Sequence, residues 1–166
     1  MSVSSPVYPA LFGYKAWANQ ELFALLQALP PEQQPQLHGC VRILNHTYVV
    51  DRIFQAHLLK QPHAYQATNT EHTPDLAVLA RDVAELDQWF CQYVAGLDED
   101  ALAEPLSFYF TDGDAGTMSR QEILLHLISH GAYHRGNAGQ MLKALQVAPP
   151  RDIFSRYLHQ LQPTRR

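Results

Sequence analysis

The sequence predicts an all-α protein, a four-helix bundle with a long crossover between its third and fourth helices. Three observations predict it: four amphipathic stretches of about twenty residues, a proline or glycine stop near the end of each, and no internal repeat or low-complexity segment.

Taken in order, residues 8–29 carry Leu11, Phe12, Trp17, Leu22, Leu25 and Leu26 at mixed three- and four-residue spacings before Pro30-Pro31. That is an amphipathic helix with a hard stop. A second helix is expected over residues 39–60, ending before Pro62. Thr73-Pro74-Asp75 reads as a capping residue followed by proline at the first helical position, opening a third helix that runs to about Gly96. Between residues 104 and 117, Leu106, Phe108 and Phe110 alternate ahead of the turn-rich Asp112-Gly113-Asp114-Ala115-Gly116, which suggests an irregular or hairpin-like crossover. Ser119 and Glu122 form a capping-box pattern that opens the fourth long helix, over residues 119–147, before Pro149-Pro150. A short terminal helix is expected over residues 152–159. The long crossover and the loop at residues 61–73 are candidate walls of a functional pocket.

At 166 residues, 46% of them apolar and 17% charged, the chain can fill one core, so a single domain over residues 1–166 is expected. A formal charge of -4 with scattered lysines and arginines gives no basic stripe, which argues against nucleic acid as a partner. Residues 1–9 lack a basic segment followed by an apolar run, and no stretch approaches the roughly 20 apolar residues that span a bilayer. A cytoplasmic protein with no membrane partner is expected. Cys40 and Cys91 lie far apart and outside any CxxC pattern, as expected of buried, reduced thiols rather than nucleophiles.

The chain has nine histidines, so the helical wheel has to choose among them. At 100° per residue, Ile123, Leu127, Ala138, Met141 and Leu145 share one face of the fourth helix, and His130 and His134 lie within it. His126 falls about 40° toward its edge. Side chains four apart on a helix stand about 5–6 Å apart at Cβ, so these two imidazoles can converge on one ion. The alternative is a pair of core histidines, each bonded to a backbone carbonyl. Two imidazoles side by side on an apolar stripe would then need several buried polar partners. A third ligand has to come from another helix. His46 and His57 both project with Ile43, Val50 and Phe54, but about 16 Å of helix separates them, so they cannot share one ion. His57 suits a packing role near the helix end; His38, His63, His72 and His159 fall in loops or at ends and read as surface residues. The stretch from His130 to His134 lacks the glutamate of HExxH, and no nucleophile elbow, Walker loop or dinucleotide fingerprint occurs. A metal ion is the chemical resource that remains.

Trp17-Ala18-Asn19, Leu44-Asn45-His46 and the run from His126 to Gly136, with its HxxxHRG pattern, resemble the DinB family of bacterial metalloproteins over nearly the whole chain. The resemblance implies a four-helix bundle, commonly dimeric, with a metal held by one histidine of the second helix and the two of HxxxHRG. Those are His46, His130 and His134, which selects His46 over His57. The family usually follows HRG with glutamine; Asn137 stands here, shorter by a methylene, and a contact to a ligand or a neighbouring helix is expected to be lost. Relatives in the wider superfamily include thiol-dependent transferases and isomerases and metal-dependent hydrolases.

Three neutral histidines leave a divalent ion an open position, where a thiol or water is acidified. Zinc is the default occupant, and nickel or iron suits the same ligands. Hydrolysis more often wants a carboxylate nearby, and the core faces show no clear inward one, Glu21, Asp51 and Glu122 being no more than possibilities. Transfer of a low-molecular-weight thiol, as co-substrate, to an electrophilic small molecule therefore ranks first, hydrolysis second, and a non-enzymatic metal-stabilised module third. A homodimer is expected, and no catalytic residue is assigned.

Overall fold

The computed structural model describes residues 6–165. The first five residues and Arg166, which belong to the single-domain expectation and in part to the reading of the amino terminus, lie outside them. Helices α1 (Val7–Ala28), α2 (His38–Leu58), α3 (Leu76–Ala95) and α5 (Arg120–Ala144) form the four-helix bundle, α1 packing chiefly on α3 and α2 on α5. Among the described residues no helix is long and apolar enough to cross a membrane.

The helix ends follow local chemistry. α1 stops at Ala28, ahead of Pro30-Pro31, and a single 3-10 turn at Gln34–Leu37 leads into α2. The expected start of the third helix is corrected by two residues: Asp75, not Thr73, is the cap, and its carboxylate accepts from the Ala77 and Val78 amides at 2.8 and 3.4 Å. A carboxylate at this position satisfies two otherwise open donors. Thr73 instead faces Arg42. The capping box on α5 is present as read, with the Ser119 amide donating to Glu122 Oε2 at 2.7 Å and the Glu122 amide to Ser119 Oγ at 3.3 Å.

The crossover is more regular than the sequence suggested. A short helix α4 (Glu99–Ala103) precedes an antiparallel hairpin, β1 (Pro105–Tyr109) and β2 (Ala115–Ser119), with Leu106 opposite Met118 and Phe108 opposite Gly116. Leu106 and Phe108 turn inward and Ser107 and Tyr109 outward. A side chain on Gly116 would place its Cβ 2.6 Å from Phe110 and 3.0 Å from Phe108, so any larger residue there would have to displace those rings. The terminal helix α6 runs from Phe154 to Leu161, two residues later than expected, and lays Tyr157 against Tyr14 and Trp17 of α1.

Two apolar clusters fill the bundle. Phe12, Phe54, Phe90, Leu106, Phe108, Ile123, Leu124 and Leu127 belong to one, at the hairpin end; Leu22, Leu26, Leu37, Leu44, Leu79 and Leu142 belong to the other. Burying each such side chain contributes about 1.5–3 kcal/mol. Met141, expected on the inward stripe of α5, is exposed.

Between the clusters lies a buried polar layer. Lys15 is 1% exposed and donates to Asp51 at 2.7 Å and Asp87 at 2.8 Å. Asn19 bridges Asp87 to Arg135, and Arg135 donates to Asp152 at 2.6 Å. Burial disfavours the Lys15 charge, but the two carboxylates more than offset it and raise its pKa above the ordinary lysine value. Gly131 makes room for this layer: a Cβ there would sit 3.3 Å from Arg135 and 3.4 Å from Lys15. The Trp17-Ala18-Asn19 and HxxxHRG segments thus meet inside the molecule through Asn19 and Arg135.

Candidate metal centre

At the level of that polar layer, α2 and α5 bring His46, His130 and His134 together. One ring nitrogen from each lies within 4.8 Å of the others, and all three side chains are half-buried. The ring centroids stand 5.0 Å apart for His46 and His130, 4.8 Å for His46 and His134, and 4.5 Å for His130 and His134. His46 Nε2 and His130 Nε2 are 3.1 Å apart. Two nitrogens bonded to one tetrahedral ion at 2.0–2.1 Å would stand about 3.3 Å apart, so this pair is already near ligand spacing. The donor set fits a borderline divalent ion of the zinc, nickel or iron class.

Two of the rings are biased toward the neutral state. Burial, with help from His134 and His46, pushes the His130 pKa down to about 3, and burial lowers that of His134. Neutral imidazoles are what a metal requires.

The outer nitrogens are held as well. The Thr68 carbonyl lies 2.7 Å from His46 Nδ1. A carbonyl only accepts, so Nδ1 carries a proton, and in the neutral ring the lone pair is on Nε2, the nitrogen that faces His130. Asn137 lies 3.4 Å from His134 Nδ1 through its side-chain amide, which can turn so that its oxygen accepts the Nδ1 proton. The shorter side chain thus still reaches the ring of His134. His130 Nδ1 is buried and has no hydrogen-bond partner.

The other histidines fall outside the group. His126 stacks on His130 at 5.3 Å and leans on Phe54 at 5.1 Å, one turn of α5 away from the triad. His57 is half-buried and stacked on Phe108 at 4.4 Å, as a packing residue should be, and burial lowers its pKa to about 4. His63 departs from its reading as a surface residue: it is half-buried, with its ring 5.3 Å from that of His57. The two line a cleft of about 540 Å³ with Phe108 and Tyr109. The crossover hairpin therefore walls a cleft at His57, while the loop at residues 61–73 bends back to reach His46.

The carboxylate reading also needs correction. Glu21 is exposed and Glu122 serves the cap of α5, but Asp51 and Asp87 are both buried, and Asp87 was not singled out by the sequence. Lys15 engages both of them. The signal was available: Phe12, Lys15, Asn19, Leu22 and Leu26 follow one helical stripe, so a lysine on the apolar face predicts buried counter-ions. Cys40 is buried and Cys91 half-buried; both are free thiols whose pKa is raised by burial, which leaves neither activated.

Comparison with known proteins identifies the family and the fold. The family model described as DinB family matches residues 1–165. The chain is 28% identical over 162 residues to the protein DinB of Bacillus subtilis (strain 168), covering 89% of this chain and 91% of that one. It also resembles the crystal structure of a DinB-like protein from Bacillus cereus ATCC 10987, with a TM-score of 0.66 at 16% identity, over 90% of this chain and 98% of that chain. The structural likeness speaks for the fold.

Proposed function

The chain belongs to the DinB family, and from that premise we propose that His46, His130 and His134 hold one divalent ion used to transfer a small thiol to an electrophilic small molecule. The observation that carries this reading is the convergence of three imidazole nitrogens within 4.8 Å on a half-buried patch. When bound, the ion supplies a Lewis-acid centre at which a thiol loses its proton near neutral pH.

The chain's own residues do the rest. His46, His130 and His134 supply three nitrogen donors and leave a position for a fourth group. Thr68 and Asn137 orient two of the rings. Tyr133, 67% exposed, lies with its ring 5.1 Å from that of His134 and flanks the solvent side of the site. In the reaction the thiol sulfur forms a bond to the electrophilic carbon as the bond to the leaving group breaks, and the thiol proton passes to solvent. No side chain need act as base for that step. Asp51 and Asp87 make no hydrogen bond to the triad and are engaged by Lys15, which favours thiol transfer over a hydrolysis that relies on a carboxylate to move protons.

Purified protein loaded with zinc or nickel is expected to conjugate a small thiol to a panel of alkyl and epoxide electrophiles, and His130→Ala to lose that activity while keeping its helical content. Ester hydrolysis under matched conditions should be weaker. Robust metal-dependent hydrolysis with no thiol conjugation would reverse the ranking; absence of both would favour a metal-stabilised module.

A further inference from the structure

The loop that follows α2 is tied back to the helix it leaves. Asn45, next to His46 in the chain, is 3% exposed. Its Nδ2 donates to Asn69 Oδ1 at 2.6 Å and to Thr70 Oγ1 at 2.6 Å. Asn69 Oδ1 also accepts from the Thr70 amide at 2.9 Å, and Asn69 Nδ2 donates to the Arg42 carbonyl at 3.0 Å. Thr70 Oγ1 donates onward to the His72 carbonyl at 2.7 Å, and Arg42 reaches the Thr70 carbonyl. The donors and acceptors are complementary throughout, so the segment has one register on the helix. That register places the Thr68 carbonyl on His46 Nδ1.

We propose that Asn45 is a positioning residue for His46: by fixing residues 68–70 on α2 it holds the Thr68 carbonyl where it selects the His46 tautomer and ring orientation. The inference rests on the metal-binding reading for its purpose, though not for its geometry. Neutral imidazole can carry its proton on either nitrogen, and only the Nδ1–H form offers Nε2 to an ion. Groups that bond the outer nitrogen of a ligand histidine typically change metal affinity 10- to 100-fold when removed. Asn45 lies on the buried side of α2 and Thr68 is exposed, so the loop's hold on His46 depends on a side chain that touches neither the ring nor the ion. Linkage makes the effect reciprocal: an ion on His46 should tighten the same loop.

Two variants approach the connection from opposite ends. Asn45→Leu removes the donors at similar volume, and Asn69→Ala removes one of their two acceptors, together with the Asn69 bond to the Arg42 carbonyl, while leaving α2 untouched. Zinc affinity, measured by competition with a chromophoric chelator, should fall about 10- to 100-fold in each. The double variant should be no worse than the weaker-binding single one, since both break one connection. Nitrogen-15 NMR of the metal-free protein should show His46 protonated on Nδ1 in wild type and shifted toward Nε2–H in both variants. Helical circular dichroism of Asn69→Ala should match wild type. Unchanged zinc affinity in Asn69→Ala, additive losses in the double variant, or an unaltered tautomer would each overturn the proposal. If wild type binds no zinc through the triad, the metal reading fails separately, and the metal-free tautomer decides the role of Asn45.

Discussion

His46 and His130, 84 residues apart in sequence and on different helices, place their Nε2 atoms 3.1 Å from each other. Two imidazole nitrogens this close share either a proton or an ion, and His134 completes the set. A ligand bound only by the folded state adds to stability by mass action, about 2.7 kcal/mol at a free concentration of 100 times Kd. Adding zinc should therefore raise the melting temperature of wild type and chelation should reverse it, with little change in His134→Ala. Differential scanning fluorimetry checks this; equal shifts in both proteins would remove His134 from the ligand set.

The polar layer beneath the triad predicts a stability effect. Lys15→Met leaves Asp51 and Asp87 without their cation inside the bundle, and breaking a buried pair in this way costs about 3–5 kcal/mol. Burial already raises the Asp51 carboxyl to about 6 against the pull of Lys15; without Lys15 it will bind a proton still more readily in the folded state, so the variant should recover part of that loss as pH falls from 7 to 5. Urea unfolding at the two pH values measures both effects. A loss under 1 kcal/mol at pH 7 would contradict the buried ion pair.

His57 predicts an acid sensitivity. Its folded pKa is lowered to about 4 by burial and the nearby His63, below the ordinary value of 6.5. Above pH 6.5 the ring is neutral folded and unfolded; as pH falls from 6.5 toward 4 the unfolded chain takes up the proton first, and stability declines. His57→Phe, which keeps a ring against Phe108, should flatten that decline in metal-free protein. Urea midpoints between pH 7 and 4.5 give the comparison, and parallel curves for wild type and variant would refute the assignment.

The bundle and the triad were legible in the sequence because both depend on helical period. His130 and His134 share the stripe of Leu127 and Ala138, and the wheel places them inward without further information. His46 could not be separated from His57 in this way, since both project to one side of α2; the family resemblance made that choice, and the structure places His46 with the other two. What escaped was decided by tertiary partners. Lys15 and Asp87 come from different helices, and their pairing depends on how α1 meets α3. Asp75 displaced Thr73 as a cap because Thr73 is drawn into the Arg42 contact that fixes the loop. His63 looked like a loop residue and became half-buried because the loop folds onto the hairpin and brings it to His57.

The most direct test of the metal site is a count of tightly bound ions. Cobalt(II) titration of metal-free protein, followed by its visible absorbance and by elemental analysis after desalting, should give one ion per chain in wild type, His57→Ala and His126→Ala. Each of His46→Ala, His130→Ala and His134→Ala should hold none after desalting. An ion retained undiminished in any of those three variants, or lost in His126→Ala, would contradict a site built from His46, His130 and His134.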